Sequence, residues 1–376
     1  MKTAIVLFRN DFRLQDQPAL YAACQKADEI IPLYIHDSEQ RDNPGEASLA
    51  YLHYSLHSLS RDLRRHFNSS LIIRQGQLYA EVEKVLAESQ ADALYYGSCL
   101  DGLYSSTDIE LMQLDCDTYL YNTRYLSEAH ELTTLKGDYF KVFTPYSKSF
   151  LKNIQIRPQL TAPKVIPSPK ATLRSLAIDD LELSPSLKWD KDFYTETTPG
   201  EDAVRQIWQK FLNTAINRYT ADRDFLALNA NSKLATALHF GEISPVILWH
   251  ESHHAQNQDE ASQFRRQIIW REFSAYCLEH YPKMTKEGFN SKFDNFPWEN
   301  DPKKIDAWKK GKTGFPVIDA AMRELWQTGI MHNRCRMLVA SFLVKDLFVD
   351  WRIGMKYFED TLIDADIPNN TFGWQW

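Results

Sequence analysis

Thr3-Ala-Ile-Val-Leu-Phe8, Ile30-Ile-Pro-Leu-Tyr-Ile-His-Asp37, Ser70-Leu-Ile-Ile-Arg-Gln-Gly76, Ala91-Asp-Ala-Leu-Tyr-Tyr-Gly97 and Cys116-Asp-Thr-Tyr-Leu-Tyr-Asn122 are short β-rich apolar runs, each separated from the next by a helix-like segment. That alternation is the pattern of a parallel α/β sheet. Between the second and third runs, Leu49, Leu52, Leu56, Leu59 and Leu63 recur at helical spacing, as a crossover helix over Ser48 to His66 requires. No G-x-G-x-x-G follows the first run. The first loop instead reads Phe8-Arg9-Asn10-Asp11-Phe12-Arg13-Leu14-Gln15-Asp16.

Working outward, residues 126–200 form an interdomain linker, with six of the sixteen prolines falling within 152–200, which therefore reads as chain wrapped over the surface. From Glu201 the strand pattern gives way to helical periodicity, over Ala203 to Phe211, Gln263 to His280, Pro316 to Gln327 and Asn333 to Phe348. The expectation is a five-stranded Rossmann-like α/β domain over 1–125 and an all-α domain over 201–376.

Ten tryptophans and 13% aromatic residues exceed what a structural core requires and favour a stacked ligand. No apolar run approaches the roughly 18 residues of a membrane span. Cys24, Cys99, Cys116, Cys277 and Cys335 are scattered without a C-x-x-C pair, so neither a disulfide framework nor a metal site is expected, and the setting is cytoplasmic. The net charge of −7 speaks at first against nucleic acid, but residues 1–125 carry 18 acidic against 11 basic side chains and hold all of the excess. The last part is near neutral, with local basic groups at Arg265-Arg266, Lys303-Lys304 and Arg334 with Arg336.

Several constellations there carry possible chemistry. Gln267, Trp270 and Arg271 share one face of a predicted helix, suited to stacking and bonding a base, although an amphipathic face with its tryptophan in the core has the same pattern. Asn333, Arg336 and Met337 lie together near a helix start, where an anion or heterocycle is favoured over a plain cap and surface arginine only if other residues join them. Tyr219 to Phe225 and Asn231-Ser232-Lys233-Leu234-Ala235 offer loop donors to a phosphate. Asp364-Ala365-Asp366-Ile-Pro-Asn-Asn370-Thr-Phe-Gly-Trp374-Gln-Trp376 concentrates carboxylates, amides and indoles in a pattern that suits a flavin or a capped turn. Trp298, Trp351 and Trp374 form either an electron path or three core anchors.

Together these stretches resemble the DNA photolyase and cryptochrome family along essentially the whole chain, closest to the bacterial dimer photolyases. The resemblance rests on Phe8-Arg-Asn-Asp-Phe-Arg-Leu14, Lys141-Val-Phe-Thr-Pro-Tyr146, Ile269-Trp-Arg-Glu-Phe273, Thr313 to Arg323, Met331-His-Asn-Arg-Cys-Arg-Met337, Ser341 to Asp346 and Trp374-Gln-Trp376. It implies an antenna domain followed by a helical FAD-binding domain, and repair of cyclobutane pyrimidine dimers in DNA by an electron from excited reduced FAD. Relatives continue beyond the Trp-Gln-Trp with a further segment that this sequence lacks, which bears on stability and activity.

The resemblance also assigns roles. Tyr219 and the loop of Asn231, Ser232, Lys233, Leu234 and Ala235 become phosphate and ribityl contacts. Arg336 and Asp364 become an ion pair beside the flavin ring, with Ala365 and Asp366 helping to hold it and Asn370 facing N5. Trp374, Trp351 and Trp298 become the proximal, middle and distal members of a photoreduction chain. A flipped lesion would meet Gln267, Trp270, Asn333, Met337 and Trp376, with Arg223, Arg271 and Arg334 on the DNA or flavin side of the pocket. His332-Asn333-Arg334 is the dimer-photolyase version of its motif. Gln267 stands where most dimer enzymes carry glutamate, and Asn231 and Ala235 replace a threonine and a serine. Leu103-Tyr104 replaces the Asn-Glu pair that holds a folate, which disfavours a folate antenna and leaves a deazaflavin, FMN or no second chromophore open. Damaged DNA is the implied partner, the protein acting as a monomer. A cryptochrome-like photoreceptor without repair activity, or a shortened relative of impaired activity, is the alternative.

Overall fold

The computed structural model of the protein describes residues 2–37, 44–98, 105–169, 172–195 and 197–375. Cys99, Leu103-Tyr104 and Trp376 lie outside them. Five parallel strands, β1 (Thr3–Leu7), β2 (Glu29–His36), β3 (Ile72–Gln75), β4 (Ala93–Gly97) and β5 (Asp117–Tyr121), form one sheet in the order β3-β2-β1-β4-β5. Each is the core of one of the five apolar runs. After Thr3 the central strand is apolar, Ala4 to Leu7, because both of its faces are covered. Ala4 and Val6 join a core beneath α1 (Pro18–Lys26) and α2 (Glu46–Phe67), while Ile5 and Leu7 join a second core beneath α3 (Leu78–Ser89) and α4 (Ser105–Leu111).

The proline-rich segment is more than a surface wrap. Ile166, Ile178, Leu181, Leu183 and Phe193 are buried in the same core as α1 and α2, so the chain between the domains closes one face of the sheet. Ahead of it, α5 (Phe143–Asn153) already packs into the helical domain through Phe143, Tyr146 and Phe150.

The remainder is helical: α6 (Glu201–Asn213), α7 (Tyr219–Asp222), α8 (Ala235–His239), α9 (Pro245–Ser252), α10 (Gln258–His280), α11 (Pro302–Lys309), α12 (Pro316–Thr328), α13 (Asn333–Ser341), α14 (Trp351–Thr361) and α15 (Ile367–Gln375). Local chemistry sets several ends. The Asn257 side chain accepts from Glu260 N to start α10, Asp350 accepts from Arg352 N to start α14, and Gly329, at φ +68°, stops α12. The helical pattern from Asn333 to Phe348 is not one α-helix. After Ser341 it widens into a π-helical turn over Phe342–Asp346, which carries the adjacent Phe342 and Leu343 both into the core.

The first loop is the joint between the domains. The Arg13 guanidinium is buried and donates to three carbonyls, those of Asp16 (2.9 Å), Gly241 (2.9 Å) and Thr123 (2.6 Å). Asp16, fully buried, accepts from both terminal nitrogens of Arg157 (2.6 and 2.9 Å), from Leu160 N and from Ser244 Oγ. Glu201 at the start of α6 accepts from Leu14 N and Gln15 N, and Glu242 accepts from Tyr51 Oη, Ser55 Oγ and Gly200 N. Gly241 is required here: at φ +65° its missing side chain would place a carbon 2.1 Å from Asn10 O.

Burial pushes Glu201 and Glu242 each up to about 7, against the pull of their hydrogen-bond donors. A carboxyl whose folded pKa exceeds its unfolded value of 4.5 stabilises the fold below that value, and its contribution falls away as pH rises through about 7, with a slope of at most about 1.4 kcal/mol per pH unit per group. Replacing Glu242 by Gln keeps the shape, and Tyr51 Oη can turn to accept from the new amide. Thermal melts of Glu242→Gln are expected to lose less stability than the native chain over that interval; parallel curves would contradict the assignment. Arg13→Met, which strands three buried carbonyls, is expected to cost about 3–5 kcal/mol in denaturant unfolding.

Candidate functional site

The helical domain holds a cleft of about 550 Å³ between the 222–236 segment, the α12–α13 junction and Asp364. Its best-formed element is a forked ion pair. Arg336 Nη2 lies 2.9 Å from each oxygen of Asp364, while its Nε donates to Met331 O (2.9 Å). The Asp364 side chain is 6% exposed and that of Arg336 25%, so the carboxylate lies at the back and the guanidinium edge faces the opening. The chain before Asp364 is pinned twice: Ile363 N donates to Gly329 O, and Ser48 Oγ of α2 donates to the carbonyls of Leu362 and Ile363.

His332 caps α13 through Nδ1, which accepts from Arg334 N (3.1 Å), and its Nε2 meets Arg223 O at 3.1 Å. One ring nitrogen accepting and the other donating is the neutral imidazole, in keeping with the burial that lowers its pKa. At the cleft edge Arg334 forks onto Asp224 (2.9 and 2.6 Å), with Arg223 Nε 3.3 Å from the same carboxylate. Arg223 also lies over the Tyr219 ring, 5.2 Å from its centre. Opposite, Asn231, Ser232 and Lys233 are half-buried on a loop that turns at Lys233 (φ +55°) and is anchored by buried Leu234.

Tyr219, Arg223, Asn231 to Ala235, Gln267, Asn333, Arg334, Arg336 and Asp364 thus share one cleft. Ala365 and Asp366 are buried outside its lining. Asp366 Oδ1 accepts from Asn369 N and Nδ2, while Oδ2 has no hydrogen-bond partner and faces Arg124 at 3.5 Å and His239 Nδ1 at 4.0 Å. Burial alone would raise its pKa; His239 and the Arg271 and Arg124 guanidiniums together hold the carboxyl well below the usual carboxylate range. Asn370 donates to Met355 O of α14 (3.0 Å). Trp298, Trp351 and Trp374 belong to one apolar cluster, in which Trp374 packs edge-on against Phe358 and Trp308. Met337 is exposed beside Arg334.

Two expectations are corrected. Gln267, Trp270 and Arg271 do not form one ligand-facing surface. Gln267 lines the cleft, and Trp270 stacks on Phe143 at 3.5 Å. Arg271 is buried, donates to Arg124 O and lies over the Tyr125 ring, so it reaches no DNA; it belongs to the charge network behind Asp366. The reason is tertiary, since the 122–128 segment docks on α10 through Leu126 N and Ser127 N to Glu272 and covers the face that helical spacing leaves open. Burial pushes Glu272 up to about 8 despite those bonds and Arg271. Sequence reasoning also passed over Arg124, Asp224, His239 and Trp308. Asp224 stood inside the quoted 219–225 run, whereas nothing local marks Arg124.

A set of guanidiniums, a lysine, amides and a hydroxyl around a forked carboxylate pair has the donor chemistry for a phosphate-bearing ligand with a heterocyclic ring. The donors of that set suit FAD. Residues 4–168 match the family description "DNA photolyase", and residues 264–376 match "FAD binding domain of DNA photolyase". The chain is 38% identical over its whole length to a deoxyribodipyrimidine photo-lyase of Agrobacterium fabrum, covering 80% of that protein, and 33% identical to that of Escherichia coli, covering 82%. A class III photolyase structure from Agrobacterium tumefaciens superposes with a TM-score of 0.96 at 36% identity, covering 100% of this chain and 79% of that one. A Synechocystis cryptochrome superposes at 0.91 and 27%, covering 100% and 81%. A parallel five-stranded sheet joined to a helical FAD-binding domain, matched from end to end by these relatives, makes this chain a member of the DNA photolyase and cryptochrome family.

Proposed function

We propose that the protein repairs cyclobutane pyrimidine dimers in DNA, its bound FAD supplying the light-driven electron that opens the dimer. The carrying observation is that the Arg336–Asp364 pair and the His332-Asn333-Arg334 run share one cleft, so groups suited to a cofactor and groups suited to a base lie on the same opening. Arg336 and Asp364 hold and orient the cofactor ring. Tyr219 with Asn231, Ser232, Lys233, Leu234 and Ala235 holds its phosphate and ribityl parts. Ala365 and Asp366 back that site from the interior, and Asn370 supplies an amide to the ring. Trp298, Trp351 and Trp374 conduct reducing electrons through the apolar cluster they share.

Photolyases as a class act on a base taken out of the stack. Gln267 and Asn333 bond the pyrimidine edges, Met337 supplies apolar surface, and Arg223 and Arg334 neutralise phosphates at the rim. Trp376, outside the described residues, is assigned to the same pocket wall. The antenna chromophore of the α/β domain is a deazaflavin, FMN or none. A cryptochrome-like photoreceptor is the second reading, favoured by Gln267, a neutral amide where an acid is usual, and by the likeness to the Synechocystis cryptochrome.

The deciding assay is blue-light irradiation of the reduced, FAD-loaded protein with oligothymidylate containing dimers. Recovery of thymine absorbance is expected, and flavin photoreduction without recovery would leave the photoreceptor. Arg336→Leu leaves Asp364 buried without its partner and is expected to lower FAD retention at least about tenfold, read from the flavin spectrum after gel filtration. Arg334→Ala breaks a half-exposed pair and should change stability by less than about 1 kcal/mol, while weakening binding to damaged DNA and flattening its dependence on salt.

A further inference from the structure

We propose that His53, His57 and Asp179 form a binding site for a divalent transition metal ion of the zinc class, outside the cofactor cleft, which staples the interdomain segment to α2. The two histidines are four residues apart on α2 and so project from the same helical face. Asp179 comes from a 3-10 turn, Ile178–Leu181, in the proline-rich segment. That turn is seated by Ile178 and Leu181 in the core and by Ala177 N donating to Asp180.

The geometry is close to what the ion requires. His57 Nε2 lies 3.1 Å and His53 Nε2 3.6 Å from the same oxygen of Asp179, and the three candidate ligand atoms lie within 4.8 Å of one another. Zinc bonds to imidazole nitrogen and carboxylate oxygen of roughly 2.0–2.2 Å set tetrahedral edges of about 3.3–3.6 Å. Two edges of the triangle are therefore nearly at length. Two imidazoles and one carboxylate with no thiolate suit Zn2+, Ni2+ or Cu2+ over Ca2+ or Mg2+. A fourth position is left for water, because the His57 and Asp179 side chains are exposed while that of His53 is mostly buried.

His53 Nδ1 is buried without a hydrogen-bond partner, so the ring lacks the outer support that strengthens dedicated zinc sites, and the ion is bound reversibly. The consequence reaches the cleft through the helix itself, since Ser48 on α2 holds the Leu362 and Ile363 carbonyls just before Asp364.

The test is titration of the purified, tag-free, FAD-loaded protein with Zn2+, read by competition with a chromophoric chelator and by melting temperature, with Co2+ absorption reporting the ligand field. One equivalent is expected to bind and raise the melting temperature. His57→Ala and Asp179→Asn should each weaken binding at least about tenfold while leaving metal-free melting unchanged. His66→Ala serves as the control, because His66 belongs to a second cluster with Asp62 and Asp202 near the end of the same helix. Binding that survives His57→Ala, or that is lost in His66→Ala alone, would overturn the proposal, as would the absence of a bound equivalent.

Discussion

Everything else in this molecule hangs on the buried contact between the first loop and the start of the helical domain. Arg13 ties carbonyls from residues 16, 123 and 241 to one guanidinium, and Asp16 gathers Arg157, Leu160 and Ser244 around one carboxylate. In an open parallel sheet the loop leaving the first strand at its C-terminal edge is a customary place for a ligand. Here that loop has been given over to joining domains, and the cofactor chemistry has moved into the helices. The lack of a glycine-rich phosphate turn follows, because the loop needs side chains that bond across a domain boundary.

The joint is polar and buried, so its parts depend on one another. A buried guanidinium or carboxylate is tolerated only while its partners are in place. Glu242 and Asp16 each accept from backbone as well as side chains, and Glu201 accepts from two backbone amides of the loop, which fixes loop positions more narrowly than apolar packing would. Through α2 the same seam extends to the cleft: Tyr51 and Ser55 hold Glu242 on one side of the helix path, and Ser48 holds the residues before Asp364. The ion pair at the back of the cleft is thus positioned by a helix of the other domain.

Behind the cleft a second polar network surrounds Asp366, with Arg124 and Arg271 supplying positive charge, His239 Nδ1 4.0 Å from one carboxylate oxygen and Asn369 bonding the other. Asp364 and Asp366 are one residue apart, yet the first meets a guanidinium at the opening and the second is sealed inside. In an extended chain residues two apart would share a face; the turn at Ile363 and Asp364, closed by Asp366 N donating to Asp364 O at 2.7 Å, is what sends the two carboxylates apart.

The five strands, the crossover helix and the change to helices after Glu201 were legible because hydrophobic periodicity is a local property, set by which faces of each element are covered. The cleft residues were legible for a different reason: Asn231 to Ala235, Asn333, Arg334, Arg336 and Asp364 lie in short runs whose composition resembles that of a known family. Three-dimensional packing alone decided which face of α10 is covered, that Arg271 points inward, that the α13 pattern widens into a π-turn, and that His57 meets Asp179 from 122 residues away. Periodicity records that a face is apolar or polar, but the partner of a buried charge is chosen by chain segments brought together only on folding. Sequence by itself therefore determined the elements and the family, and tertiary structure decided which charges face the ligand and which hold the domains together.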